Sequence, residues 1–359
     1  MLEPDRRLPS ENPDLSRPRT ARGALLVGSV PVDSAEEAIS LALSKLGNRL
    51  HSVPDGETGE RRNWIIPIID ALRAHPDFEL AKEGDWSDYD KTPRFRLANG
   101  KRLTADALDL GYAAAFRANY PTLVALREEH GLPDIAYQVG IPGDLDLALF
   151  VFGPSGILTK RGPFTEATVR EITAIHREAG ADVVFQIEVP AELVFVAQMP
   201  PPLRPLVARY LAGGICRLAK LSPSGTRFGI HLCLGDMNHR ALASMADVGP
   251  VVLLANAIAR RWPAGRRLEF MHAPFAAANI PPALDERWYA PLSKLSLPSG
   301  TRFVAGCIHE DLSVEDQRRL IELIEQRLGT RVDLATACGL GRRDRASAVA
   351  TIDRIVEVA

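Results

Sequence analysis

Residues 182–188, DVVFQIE, form an almost unbroken apolar run of the length expected for a strand. Such a run is typical of a parallel β-strand that is buried on both faces. Similar short runs recur along the chain, and segments with helical periodicity separate them. We therefore predict eight strands, at residues 24–30, 49–53, 134–139, 182–188, 227–231, 267–271, 301–307 and 332–336.

The regular alternation of strands and helices indicates one (β/α)₈ TIM barrel, because no change in composition marks a second domain. We expect residues 22–359 to form this barrel and residues 1–21, which are polar and rich in proline, to form a flexible N-terminal arm. The chain has no G-x-G-x-x-G after the first strand and no phosphate-binding G-x-x-x-x-G-K-[ST]. These absences argue against a dinucleotide fold and a P-loop.

Four local predictions concern the segments around the barrel. Ser34 is expected to cap a helix over 35–46. A long helix is predicted over 104–130 and a short one over 239–245. Residues 76–103 are irregular and carry aromatic and charged side chains, so we expect a loop or short hairpin that lies over a site.

The composition is that of an ordinary globular protein, with 46% hydrophobic and 25% charged residues among 359 and a net charge of −2. This charge balance gives no reason to expect nucleic acid or a membrane surface as a partner. No apolar stretch is long enough to cross a bilayer, and the first residues lack an apolar signal core. With only four cysteines, we expect reduced thiols in a cytoplasmic protein.

Polar and reactive side chains gather at the predicted carboxyl ends of the strands, where TIM barrels place their working residues. His231 and Cys233, in the motif HLC, are two positions apart and share one face of an extended strand. An imidazole and a thiol are ligands that suit Zn²⁺. The alternative is a packed cysteine beside a hydrogen-bonded histidine.

Two further strand ends offer ligands. Cys338 precedes a glycine turn, near Arg342 and Arg343, that would favour a thiolate; the alternative is a buried free cysteine. His272, or Glu269 three residues earlier, is the candidate fourth ligand. Strand position favours His272, whereas Glu269 is equally credible as a partner in an ion pair.

Five motifs occur in the order found in the C-terminal catalytic barrel of cobalamin-independent methionine synthases, a family of the uroporphyrinogen decarboxylase/methionine synthase-like superfamily. The sequence resembles that family over most of residues 24–359. The motifs are GSVP at 28–31, VPDGETGERRNWI at 53–65, FQIEVPAEL at 185–193, HLC at 231–233 and CGLGRR at 338–343.

The resemblance implies that His231, Cys233 and Cys338 bind Zn²⁺, with His272 or Glu269 in the place of the family's glutamate. It implies that Ser29, Glu57 and Glu188 hold the polar end of an amino-acid-like thiol and that His309 serves as a proton donor. Glu57 would otherwise be a helix N-terminal acid, and His309 would cap the following helix.

The family's folate-stacking tryptophan has no counterpart after the turn at 140–144; Phe150 and Phe152 are the nearest aromatic residues. We therefore predict a zinc-dependent methyl or alkyl transferase that activates a homocysteine-like thiol, with a small-molecule alkyl donor other than folate left open. The alternatives are a metal-free barrel lyase or decarboxylase of the same superfamily and a non-catalytic binding protein.

Overall fold

The computed structural model describes residues 22–359, so the predicted arm at 1–21 lies outside the described residues. Seven parallel strands form one curled sheet, and two antiparallel strands form a separate hairpin. The sheet strands are, in spatial order, β1 (Ser52–Pro54), β4 (Ala136–Pro142), β5 (Val183–Glu188), β6 (Arg227–His231), β7 (Arg267–Pro274), β8 (Arg302–Ile308) and β9 (Asp333–Thr336); the hairpin strands are β2 (Phe78–Lys82) and β3 (Arg94–Leu97).

Helices follow the strands and cover the outer face of the sheet. Within residues 22–359 they are α1 (Ala35–Leu46), α2 (Ile66–Ala71), α3 (Tyr112–Glu129), α4 (Asp144–Phe152), α5 (Pro154–Thr159), α6 (Arg161–Ala179), α7 (Pro190–Gln198), α8 (Arg204–Leu221), α9 (Gly249–Ala259), α10 (Glu286–Tyr289), α11 (Val314–Leu328) and α12 (Arg345–Val358). The large core lies between these helices and the sheet. None of the described helices is long and apolar enough to span a membrane.

The sheet is TIM-barrel-like, but an eighth hydrogen-bonded strand does not close it as we predicted. The predicted first strand makes a single bridge on each side instead, from Ala24 to Leu50 beside β1 and to Leu334 in β9. The carbonyls of residues 26 and 27 accept hydrogen bonds from the buried side chain of Gln138, at 2.9 and 3.1 Å, rather than from a strand. These interior bonds replace a continuous ladder.

The remaining seven strands lie where the sequence predicts them, within a few residues. All six residues of β5 are buried, as expected for a central parallel strand. The prediction for α1 is also confirmed, since Ser34 accepts a 3.1 Å hydrogen bond from the backbone N–H of Glu37. Such a cap satisfies a donor that the first helical turn leaves free.

Two helix predictions are wrong in extent or existence. The helix predicted over 104–130 is a short 3₁₀ turn followed by α3, because Gly111 adopts a left-handed conformation before Tyr112. The helix predicted over 239–245 does not form. Asn238 and His239 have φ values of 53° and 59°, which a right-handed helix excludes.

The irregular segment at 76–103 contains the β2–β3 hairpin, which confirms the predicted hairpin. Its connection is tied to the loop after β6: Tyr89 Oη donates to the carbonyl of Arg240 at 3.0 Å and accepts from the N–H of Met237 at 2.9 Å. Trp86 and Tyr89 consequently lie over the carboxyl end of the sheet.

Candidate metal centre

A cleft of about 950 Å³ opens at the carboxyl ends of the strands. Six of the eight predicted site residues line it, contributed by five separate segments of the chain. They are Ser29, Glu57, Glu188, His231, Cys233 and Cys338.

The structure brings His231, Cys233 and Cys338 together as one group, which we call the metal group. A ligand atom of each lies within 4.8 Å of the other two, and the two Sγ atoms are 3.6 Å apart. His231 is the last residue of β6, and the chain then turns at Gly235, whose φ is +84°. That turn also directs the Gly235 N–H to Cys233 Sγ at 3.3 Å.

Hydrogen bonds fix the protonation of the two histidines. His272 Nε2 lies 2.9 Å from the carbonyl of Thr336, which can only accept, so this nitrogen carries the proton. His272 Nδ1 must then accept from His231 Nδ1, 2.7 Å away. His231 Nε2 is left with its lone pair free. Burial lowers the pKa of His231 far below its usual value and that of His272 to about 4, so both rings stay neutral.

This placement corrects the prediction for the fourth ligand. His272 is fully buried behind His231, and both of its ring nitrogens are engaged in hydrogen bonds. It orients a ligand, as outer partners of metal-binding histidines do. Glu269 lies at the opposite end of β7, where its Oε1 is 2.9 Å from both Arg227 Nε and Arg267 Nε. Those ion pairs hold it away from the cleft.

The residues of the metal group fit a zinc ion in chemistry and spacing. Two thiols and one imidazole are a donor set that zinc favours, and three protein ligands leave a fourth position for a substrate. Thiolates on a tetrahedral zinc ion with bonds of about 2.3 Å lie about 3.8 Å apart, close to the separation of the two Sγ atoms. The contact with Cys338 and burial raise the pKa of Cys233 well above its usual value, which a bound cation would reverse.

Glu57 and Glu188, which we call the acid pair, face each other across the cleft. A side chain at Gly140 would place its Cβ 2.8 Å from an oxygen of each carboxylate, so only glycine fits beneath them. Glu57 has a φ of 45°, and its N–H is held by Asp55 at 2.9 Å. Burial and the charge of Glu188 raise the pKa of Glu57, and burial raises that of Glu188 to about 7.

Ser29 stands at the rim of the same cleft. Its Oγ accepts a 3.0 Å hydrogen bond from Arg342, and its carbonyl accepts from the N–H of Leu340 at 2.7 Å. Gly339 and Gly341 allow this approach, because a Cβ at either position would lie within 3 Å of Ser29 Oγ. The first and last predicted strands thus meet at the metal group.

The structure does not bring His309 into the cleft. Its Nδ1 accepts from the N–H of Asp311 at 3.2 Å, and its Nε2 lies 3.1 Å from the carbonyl of Ala278. His309 is 1% exposed, so it anchors the loop before α11, close to the capping role that was our alternative. The predicted proton donor has no free nitrogen to offer.

Sequence reasoning missed three residues that line the cleft. Asp236 follows HLC and is buried, and neither carboxylate oxygen makes a hydrogen bond to the described chain. The position of Asp236 in the HLCLGD motif was an available signal. Trp64 and Trp86 both adopt left-handed backbone conformations, with φ values of 57° and 58°. Nothing in the local sequence announces that.

The chain matches no family model and no curated protein sequence. Several solved structures share its fold. One, assigned as a vitamin-B12-independent methionine synthase of Listeria monocytogenes, has a TM-score of 0.54 and 14% identity over 94% of this chain and 98% of its own. A second is a B12-independent methionine synthase of Shewanella sp. W3-18-1 in complex with selenomethionine, with a TM-score of 0.57 and 12% identity over 94% and 97%.

A third similar structure is a methyltransferase of Methanosarcina mazei, with a TM-score of 0.54 and 15% identity over 95% of this chain and 94% of that one. At such identities the likeness extends to the fold. The class that the fold and the site define is a barrel-like α/β protein with a His-Cys-Cys group at its open end.

Proposed function

We propose that this protein is a zinc-dependent enzyme that transfers a methyl or other alkyl group to the sulfur of an amino-acid-like thiol. The observation that carries the proposal is the metal group, three zinc-type ligands from two distant strand ends within 4.8 Å of one another. The folds of the methionine synthases and of the methyltransferase named above support the same reaction class.

His231, Cys233 and Cys338 would hold the ion, which when bound supplies a Lewis acid that lowers the pKa of a thiol. His272 keeps the Nε2 atom of His231 unprotonated and aimed by its hydrogen bond at Nδ1. The protein's own residues therefore provide a neutral imidazole and two thiols at one point.

The polar end of the substrate would lie on the other side of the cleft. The acid pair offers two carboxylates to an ammonium group, which would return both pKa values toward their usual range. Arg342, beside Ser29, has guanidinium N–H groups to donate to a carboxylate. These contacts would fix the sulfur relative to the alkyl donor, and such positioning accounts for much of the acceleration of a bimolecular transfer.

Metal analysis tests the proposal directly. Protein purified without added metal is expected to hold about one zinc ion per chain, with three protein ligands, and Cys233→Ser is expected to lose it. Cys216→Ser is the matched control, because Cys216 is a buried free thiol in α8 outside the metal group. Thiol methylation, followed by mass spectrometry, is expected to disappear with the zinc.

The proposal fails if the wild-type protein holds no zinc and Cys233→Ser leaves activity intact. That result would favour the metal-free lyase of the same superfamily. Tight binding of thiols without turnover over a panel of donors would favour a non-catalytic binding protein.

A further inference from the structure

Three aromatic side chains from separate segments line the cleft beside the acid pair. The ring centroids of Trp64 and Phe150 are 6.0 Å apart and perpendicular, and those of Trp86 and Phe150 are 6.3 Å apart. We call these three residues the aromatic wall. Aromatic faces carry partial negative charge and attract cations within about 6 Å.

The wall is held rigidly. The indole N–H of Trp86 donates to both carboxylate oxygens of Asp70 at 3.1 Å, and its carbonyl accepts from Asn238 at 3.0 Å. The carbonyl of Phe150 accepts from Arg94 at 2.9 Å. The left-handed backbone at both tryptophans costs free energy, a kind of strain that clusters at binding sites. The wall is therefore preorganised.

Trp64 connects the wall to the acid pair. Its indole N–H is buried and makes no hydrogen bond of good geometry to the described residues. It nevertheless lies near enough to Glu188 to oppose the rise in the pKa of that carboxyl. A ligand that rests on Trp64 would thus also be close to a carboxylate.

The charges that line the cleft favour a cation. Three carboxylates, those of Glu57, Glu188 and Asp236, stand against one guanidinium, that of Arg342. An amino-acid thiol brings one ammonium and one carboxylate and leaves this imbalance unchanged. A donor with an anionic tail would add to the repulsion, whereas a cationic donor would relieve it.

We propose that the alkyl donor is an onium compound, a sulfonium or quaternary ammonium ion, whose cationic head rests on the aromatic wall. This inference builds on the proposed thiol alkylation. In the transfer, an electron pair of the thiolate sulfur forms the new S–C bond. The bond from that carbon to the onium atom breaks, and its electron pair leaves on a neutral thioether or tertiary amine.

An onium leaving group departs neutral and needs no proton. This agrees with the position of His309, whose ring nitrogens are both bonded to the backbone outside the cleft. A leaving amide or amine nitrogen would require a proton donor at the cleft. The geometry of the predicted proton donor and the charge of the cleft thus favour the same class of donor.

Calorimetric titration of metal-stripped protein, without thiol, tests the inference independently of zinc. The probes are choline, trimethylsulfonium and 3,3-dimethyl-1-butanol, the uncharged isostere of choline. We expect both cations to bind and choline to bind at least about 10-fold more tightly than the isostere, a difference of about 1.4 kcal/mol. Equal affinities for choline and the isostere would overturn the inference, as would binding of 5-methyltetrahydrofolate by a protein that binds neither cation.

Variants locate the binding. Trp86→Leu and Trp64→Leu are expected to weaken choline binding about 5- to 30-fold, the range for a partly desolvated cation–π contact. Trp86→Phe should recover part of that loss. Trp262→Leu is the control, because Trp262 packs against Phe228 with ring centroids 5.7 Å apart and does not line the cleft. Equal losses in Trp262→Leu and Trp86→Leu would contradict the wall's role.

The wild-type comparison of choline with its isostere stands even if a leucine variant does not fold. Zinc content, measured on the same preparations, separates the two proposals. Zinc without cation binding would leave the thiol alkylation and remove the onium donor; cation binding without zinc would do the reverse.

Discussion

At the amino end of the sheet, Glu269 is buried between Arg227 and Arg267, with both Nε atoms 2.9 Å away. At the carboxyl end, Glu57 and Glu188 face each other, and Asp236 has no hydrogen-bond partner among the described residues. One end of the same sheet pairs its buried carboxylates with cations, and the other leaves them to repel one another.

The difference separates stability from binding. Paired charges at the amino end hold neighbouring strands together, whereas unpaired charges at the carboxyl end raise the free energy of the protein until a cation arrives. Removing a carboxylate should therefore have opposite effects at the two ends.

The largest effect is expected at the amino end. Glu269→Ala leaves two arginines without their shared partner and should lower the free energy of unfolding by about 3 kcal/mol. Urea denaturation measures this, and zinc content should not change. Glu269→Gln, which keeps the shape and part of the hydrogen bonding, is the matched control with a smaller loss. Unchanged stability in Glu269→Ala would break the comparison.

At the carboxyl end the sign should reverse. Because the pKa of Glu188 is about 7 in the folded protein against an ordinary 4.5, the folded state binds the proton more tightly than the unfolded state. Stability is then lost as pH rises from about 4.5 to 7. Glu188→Gln should be about 2–3 kcal/mol more stable than the wild type at pH 8 and equal to it at pH 4.

Urea midpoints of metal-stripped protein at the two pH values check this expectation. Glu315→Gln, at an exposed position in α11, serves as the control and should shift neither midpoint. A loss of stability at pH 8 in Glu188→Gln would show that Glu188 is paired in the folded protein.

A third change sharpens the comparison without removing a ligand. In Gly306→Ala the new Cβ would stand 2.6 Å from His272 Nε2, so His272 must move and His231 loses its orientation. We expect a 10- to 100-fold loss of zinc affinity, measured by competition with a chelator. Gly162→Ala, where a Cβ meets nothing within 4 Å, should leave zinc affinity unchanged; equal affinities in all three proteins would remove His272 from the site.

The smallest effect is expected for a half-exposed pair at the amino end. Arg22 Nε lies 2.8 Å from Glu325 Oε1, and Glu325 also accepts from the N–H of Val332 at 3.1 Å. Arg22→Ala should cost about 1 kcal/mol, because Glu325 keeps its backbone partner and solvent reaches it. Thermal unfolding measures the loss, and one as large as that of Glu269→Ala would show that burial does not decide the cost.

Much of this arrangement could be predicted from the sequence, because it depends on periodicity and on strand ends. Alternating apolar runs located seven strands, and the strand-end rule brought His231, Cys233 and Cys338 to one edge. Their role in binding zinc remains a prediction. Sequence also placed His272 beside His231, and the register pairs these two residues.

What the sequence could not show depends on side-chain direction and on contacts between distant segments. Whether His272 faces the metal group or supports it is decided by the carbonyl of Thr336. The barrel stays open at residues 24–27 because Gln138 and Gln186 take backbone carbonyls there. The aromatic wall needs three segments that only the folded chain brings together.

The single bridges that Ala24 makes to residues beside β1 and within β9 also set a time order. Ala24 and Leu334 are separated by nearly the whole described chain, and contacts of such separation form late in folding. During synthesis on the ribosome, His231 and Cys233 emerge long before Cys338. The nascent protein therefore carries an incomplete ligand set until the last strand has been made, and metal loading must follow translation.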